Sequence, residues 1–187
     1  MKKIVLFVVC LIALSATAQP THIKFKGIEL GCTSAEFTYK MQEVGFKKIE
    51  EGERFIRYKG NFAGEEREIG AQKIGDKIAS AMVVCEEHTS WTSLKHEYND
   101  WVESFTRKYG EPTYNSKSFK SPYYDGDGYE MSAVSRDYCV YGAKWMVEGG
   151  DIMVIITKNK NVVIYYTDMV IEQEGKNQKQ KQIDEDI

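Results

Sequence analysis

Hydrophobic positions recur along the chain with two different periods, and the places where the period changes predict its elements. From Thr33 to Gly45 the period is helical, with Phe37, Met41 and Val44 at i, i+4 and i+7 on one face. Thr33-Ser34-Ala35-Glu36 is a capping-box sequence, and Gly45 supplies a residue that turns left-handed easily. A longer helical stripe runs over about 90–109: Trp91, Leu94, Tyr98, Trp101, Val102, Phe105 and Tyr109. Ser90 precedes it as N-cap, Arg107 and Lys108 complement the dipole in its last turn, and Gly110 and Pro112 end it. Trp101 sits centrally on that stripe and is expected in the core. After each helix the period falls to two. Strands are expected over 53–59, 66–74 and 77–85, and again over 113–119, 137–147, 151–158 and 161–167. Gly60-Asn61, Gly75-Asp76, Gly149-Gly150 and Asn159-Lys160 mark the turns.

The order is therefore helix, strands, helix, strands, with successive strands joined by hairpins. There are too few helices for a doubly wound parallel sheet. The fold class is α+β: two helix-plus-antiparallel-strand units, 22–86 and 87–170, share an antiparallel sheet with the helices packed on one face. The other face is left to solvent or a partner. The two units suggest an internal duplication of pattern rather than of residue identity. Residues 171–187 are dominated by Glu, Gln, Lys, Asn and Asp and are expected as a disordered polar tail, or a short helix formed on binding.

This tandem order over about residues 22–170 resembles the β-lactamase-inhibitor-protein-like architecture. Local features are similar to those of small exported proteins of Bacteroidota: Ile23-Lys24-Phe25-Lys26-Gly27-Ile28, the Ser90-Trp91-x-x-Leu94 helix start, Lys108-Tyr109-Gly110-x-Pro112, and the loop from Ser121 to Tyr129. The resemblance implies a fold and carries over no contact residue, because no contact motif maps onto this chain.

The N-terminal pattern changes the setting. Lys2 and Lys3, an apolar run from Ile4 to Leu14, and Ala16-Thr17-Ala18 make a cleavable signal peptide over residues 1–18, cut before Gln19. The apolar run spans only ~16 Å at about 1.5 Å per residue, roughly half a hydrocarbon core. Cys10 follows Val8-Val9 rather than small residues, which does not fit a lipid attachment site. A periplasmic or secreted protein without a membrane span is expected. Losing Lys2 and Lys3 leaves 23 basic against 28 acidic residues, a net charge of −5. That balance, with no basic run, excludes nucleic acid as an expected partner. Cys32, Cys85 and Cys139 remain. They serve either as small buried hydrophobes or with one bridge, for which Cys85 with Cys139 is the expected pair because both fall in strands.

The most unusual segment is Ser121-Pro122-Tyr123-Tyr124-Asp125-Gly126-Asp127-Gly128-Tyr129-Glu130. Tyrosines give large contact area at low entropic cost, so Tyr123, Tyr124, Asp125, Asp127 and Tyr129 are the candidate partner-binding residues. The plainer alternative is a solvated hairpin loop with its tyrosines folded back on the sheet. Asp125, Asp127 and Glu130 supply only part of a calcium loop. His88 and His96 stand eight apart, not at the i, i+4 spacing of two ligands on one helical face. Neither a Gly-x-Ser-x-Gly elbow nor a Cys-x-x-Cys occurs. No catalytic residue, metal or cofactor is assigned. The expected function is a non-enzymatic binding module for an unknown protein partner in the envelope or outside the cell, of the inhibitor or immunity kind. An envelope structural or assembly factor is the alternative, and a periplasmic hydrolase a third class.

Overall fold

The computed structural model describes residues 20–186. The expected leader and its cleavage before Gln19 lie outside the described residues, as does Ile187. A short hairpin of β1 (Lys24–Phe25) and β2 (Ile28–Glu29) leads into α1 (Ser34–Glu43). Thr33 caps α1 by accepting from Glu36 N at 3.2 Å. The reciprocal half of the capping box is absent, because the Glu36 carboxylate pairs with Lys40 at 2.7 Å instead. Four antiparallel strands follow: β3 (Lys47–Glu51), β4 (Phe55–Phe62), β5 (Glu65–Ile74) and β6 (Lys77–Val84). The second unit repeats the order with α2 (Trp91–Tyr109), β7 (Tyr114–Phe119), the short α3 (Glu130–Ser135), β8 (Cys139–Val147), β9 (Gly150–Ile156) and β10 (Val162–Asp168). The chain ends in α4 (Met169–Asp186).

All eight long strands form one antiparallel sheet in the order β3-β4-β5-β6-β10-β9-β8-β7. Each unit is a meander, and the two meet through their last strands, with Tyr165 opposite Met82 and Val163 opposite Val84. The α+β class, the antiparallel sheet and the helices packed on it are as the sequence pattern predicts. α1 and α2 cover one face. There Phe37 and Met41 from α1, and Leu94, Tyr98, Val102 and Phe105 from α2, pack against alternate residues of the strands, including Ile56, Tyr58, Val83, Ile164, Val154 and Trp145. Ring pairs stitch the layers together: Phe37 with Tyr58 at 5.9 Å, Tyr98 with Tyr141 at 5.5 Å and Phe105 with Trp145 at 5.5 Å.

The opposite face of the four central strands is apolar in its middle. Strand register sets Met82, Tyr165 and Met153 in one row and Val84, Val163 and Ile155 in the next. All but Val163 are half-buried. Gly70 and Lys144 end the first row, and Glu68 and Gly142 the second, so each row has one flank without a side chain of its own.

Four expectations are corrected. Gly60-Asn61 is not a turn: both residues lie within β4, and the chain reverses at Ala63-Gly64. Residues 171–187 were expected as a disordered tail, but residues 169–186 are helical. The fully buried Asp168 carboxylate accepts from Val170 N at 3.1 Å and Ile171 N at 3.0 Å, which supplies acceptors to the first turn of α4. Ile171 is buried, Gly175 lies against Ile74, and Lys77 pairs with Glu174 at 3.0 Å, so the helix crosses the sheet end near the β5–β6 turn. The Cys85–Cys139 bridge does not form, and all three cysteines are free thiols. β10 and β9 lie between β6 and β8, and three strand spacings of about 4.8 Å put the pair roughly twice too far apart for a bridge. Trp101 is only half-buried, at the margin against Phe62, and Tyr98 holds the central place on the helix. Four elements had no forecast: β1 and β2, of two residues each, β3 and α3. β3 is exposed at all five positions and shows no alternation, while α3 is too short to show a period.

Candidate functional site

The loop from Ser121 to Tyr129 joins β7 to α3 and folds back toward the start of α2. Its acidic residues shape it from within. Asp127 accepts from the backbone N of Tyr124 at 3.1 Å and of Tyr129 at 2.7 Å, closing the loop tip on itself. Gly126 and Gly128 at φ 87 and 78 make the tight turns that this closure needs. Asp125 is tied to α2: it pairs with Lys95 at 2.8 Å and accepts from the Trp91 indole N–H at 3.2 Å. The Lys95 hydrogen bond is the main reason that the Asp125 carboxyl is held below its ordinary value of 3.8. Glu130 is buried and accepts from Gly126 N at 2.8 Å.

The tyrosines divide. Tyr123 is half-buried and packs edge-on against Tyr138 at 5.4 Å. Tyr124 and Tyr129 are 66% and 65% exposed. The five residues singled out in the sequence therefore share one loop in three roles. Asp125 and Asp127 brace it, Tyr123 anchors it, and Tyr124 and Tyr129 stand in solvent. Asp125, Asp127 and Glu130 aim their carboxylates at separate partners and do not converge on a cation position. Among the described residues no three His, Cys, Asp or Glu side chains are placed to hold a metal.

Between the loop and α2 lies an open groove of about 430 Å³, lined by Trp91, Lys95, His96, Asn99, Asp125 and Glu130 among others. Its two walls are some thirty residues apart in the chain, so no local motif announces it. Trp91 forms its base and packs edge-on against Phe119 at 5.2 Å and Tyr141 at 5.0 Å.

His88, just before α2, and His96, within it, are engaged in ion-pair geometry. His88 meets Glu97 at 2.8 Å, and Glu97 in turn accepts from the buried Arg67 at 3.1 Å. His96 lies 3.5 Å from Asp100. Burial pushes the thiols up, to about 12 at Cys85 and about 11 at Cys32 and Cys139, so they stay protonated at neutral pH. No described helix is long and apolar enough to cross a membrane. Comparison with protein-family models, curated proteins and solved structures finds no match for this chain.

Proposed function

We propose that this chain is an exported, non-enzymatic protein-binding module, periplasmic or secreted, of the inhibitor or immunity kind. The observation that carries the reading is the braced loop. Asp127 and the Asp125–Lys95 pair hold its backbone while Tyr124 and Tyr129 project into solvent. Fixing the backbone that carries exposed aromatic side chains before contact lowers the entropy lost on association, which favours affinity. The tandem meander order adds support for an inhibitor-like architecture and for an ancestral duplication. The polar groups around the loop are engaged with each other and with backbone N–H groups, an arrangement suited to rigidity.

A test is capture from native envelope extract with the mature protein as bait, run beside Tyr124→Ser/Tyr129→Ser. The expected result is a partner held by the parent and lost by the double variant, with unchanged thermal stability. Equal capture by both proteins would remove the loop from the interface.

A second reading is favoured by the six apolar residues on the open face of β6, β10 and β9. A partner could cover that face instead, since contiguous exposed apolar surface marks interaction sites. Met153→Lys then abolishes capture and the loop variant does not. An envelope structural or assembly role predicts that neither variant changes capture.

A further inference from the structure

The two edges of the sheet are treated differently. β3 closes one edge with Lys47-Lys48-Ile49-Glu50-Glu51, fully exposed and kinked by a register shift between Lys48 and Glu50. Charges and bulges of this kind discourage pairing with another strand. β7 closes the other edge with Tyr114-Asn115-Ser116-Lys117-Ser118-Phe119, in unbroken register with β8. Its one charged side chain, Lys117, is turned onto α2, where it donates to Asn99 at 2.8 Å.

The bond from Lys120 N to Tyr138 O at 2.8 Å fixes the alternation along β7. Residues 114, 116 and 118 direct their N–H and C=O to β8, so Asn115, Lys117 and Phe119 direct theirs outward. Their side chains lie on the α2 side of the sheet, beside the groove lined by Trp91, Lys95, His96 and Asn99 from α2 and by Asp125 and Glu130 from the loop, where Lys95 neutralises Asp125 and Glu130 is buried on Gly126 N. The edge therefore combines three backbone pairs unused among the described residues with a groove for alternate side chains, the two components of strand addition. Charge selects the occupant. Lys117 donates to an amide oxygen, and Lys120 to the Asp137 carbonyl at 3.1 Å, so neither cation meets a carboxylate among the described residues. A second copy using all three outward residues would set Lys117 opposite Lys117, which is unfavourable.

The geometry points to β7 as a strand-addition site for an extended acidic segment of a partner protein. This deepens the protein-binding reading and rests on it for the partner's nature, while the edge itself is tested separately.

The probe is an octapeptide of alternating valine and glutamate, compared with its valine–lysine counterpart. Isotope-labelled mature protein is titrated with each peptide to about 2 mM and amide exchange is followed. The acidic peptide should slow exchange at Asn115, Lys117 and Phe119 by at least about tenfold and leave Ser116 and Ser118 unchanged. Lys117→Pro removes the outward N–H together with the ammonium and its bond to Asn99, and should abolish that protection at Asn115 and Phe119, since edge strands tolerate proline. Lys117→Gln keeps the N–H and should weaken binding by about threefold, the size of one exposed ion pair. Asn115→Pro repeats the test should Lys117→Pro not fold. Unchanged exchange at all three amides, or equal binding of the lysine peptide, would overturn the inference. So would protection without peptide in a dimer that Lys117→Pro dissociates, since the occupant would then be a second copy. Loss of capture in the tyrosine variant with no protection of β7 would leave the binding module standing without this site.

Discussion

Tyr98 shows how much a single atom can matter in a core of this size. Its ring is fully buried under α2, but its hydroxyl is also buried and has no hydrogen-bond partner among the described residues. An unsatisfied buried polar group costs about 1–3 kcal/mol. Tyr98→Phe should therefore raise the unfolding free energy by roughly 1 kcal/mol, whereas Tyr98→Ala should lower it by about 3–5 kcal/mol through the cavity left behind. Denaturant midpoints of the two variants check this, and a Tyr98→Phe midpoint below the parent's would mean that the hydroxyl is bonded. Trp101→Ala should fall between Tyr98→Ala and the parent, at about 1–2 kcal/mol of destabilisation, because the indole is only half-buried. Helical spacing identified the stripe correctly but could not grade it. Tyr98 and Trp101 are three residues apart, and only the neighbouring strands decide which lies at the centre. The cysteines make a similar case. Alternation placed Cys139 in a strand and Cys85 at a strand end, while the order of those strands, which forbids their bridge, is not a local property. Native protein at neutral pH should resist iodoacetamide at all three thiols, and unfolded protein should take up label at each without prior reduction. Mass analysis showing a linked pair would contradict the strand order.

At the scale of elements, the clasp between α2 and the loop and the cap on α4 are both made by carboxylates, the first some thirty residues from its partners and the second beside the turn it caps. The Asp125 carboxyl lies below its ordinary value in the folded state, so its contribution is present above that value and disappears as pH falls through the lowered one. The Trp91 indole N–H resonance should accordingly stay fixed from pH 8 to about 5 and shift only below about 4. A shift centred near neutrality would show that Asp125 does not hold the indole. Asp168 works on α4 in the same manner, with His22 at 2.8 Å on its other oxygen. Asp168→Ala should fray the first turn of α4, raise exchange at Val170 and Ile171, and destabilise by about 1–2 kcal/mol. Unchanged exchange at those two amides would assign the cap elsewhere. The polar composition of residues 171–187 hid this helix, since its order comes from one buried aspartate, one isoleucine and one ion pair. The helices at Ser34 and Trp91 were legible because caps, stripes and terminal glycines coincided. The loop was conspicuous in composition, but the split between bracing aspartates and exposed tyrosines depends on Lys95 and Trp91, some thirty residues upstream.

For the whole molecule, the decisive junction is β6 against β10. Both strands are apolar on both faces near their pairing, with Val83 and Ile164 toward the helices and Met82 and Tyr165 on the far side. Hairpin spacing predicted two meanders, but nothing in the alternation said that they would join through their last strands. A fragment of residues 22–86 alone would expose the β6 edge along its full length. It should aggregate or self-associate rather than fold as a monomer, which sedimentation would detect. A monomeric, cooperatively unfolding fragment would instead make the first unit an independent domain. The unequal edges carry a consequence for growth. A sheet that can be extended at both ends is a monomer for a fibre, whereas one end blocked by charge and a kink reduces the valence to one. Edge-to-edge assembly of this molecule therefore terminates after a single step, whatever strand it accepts.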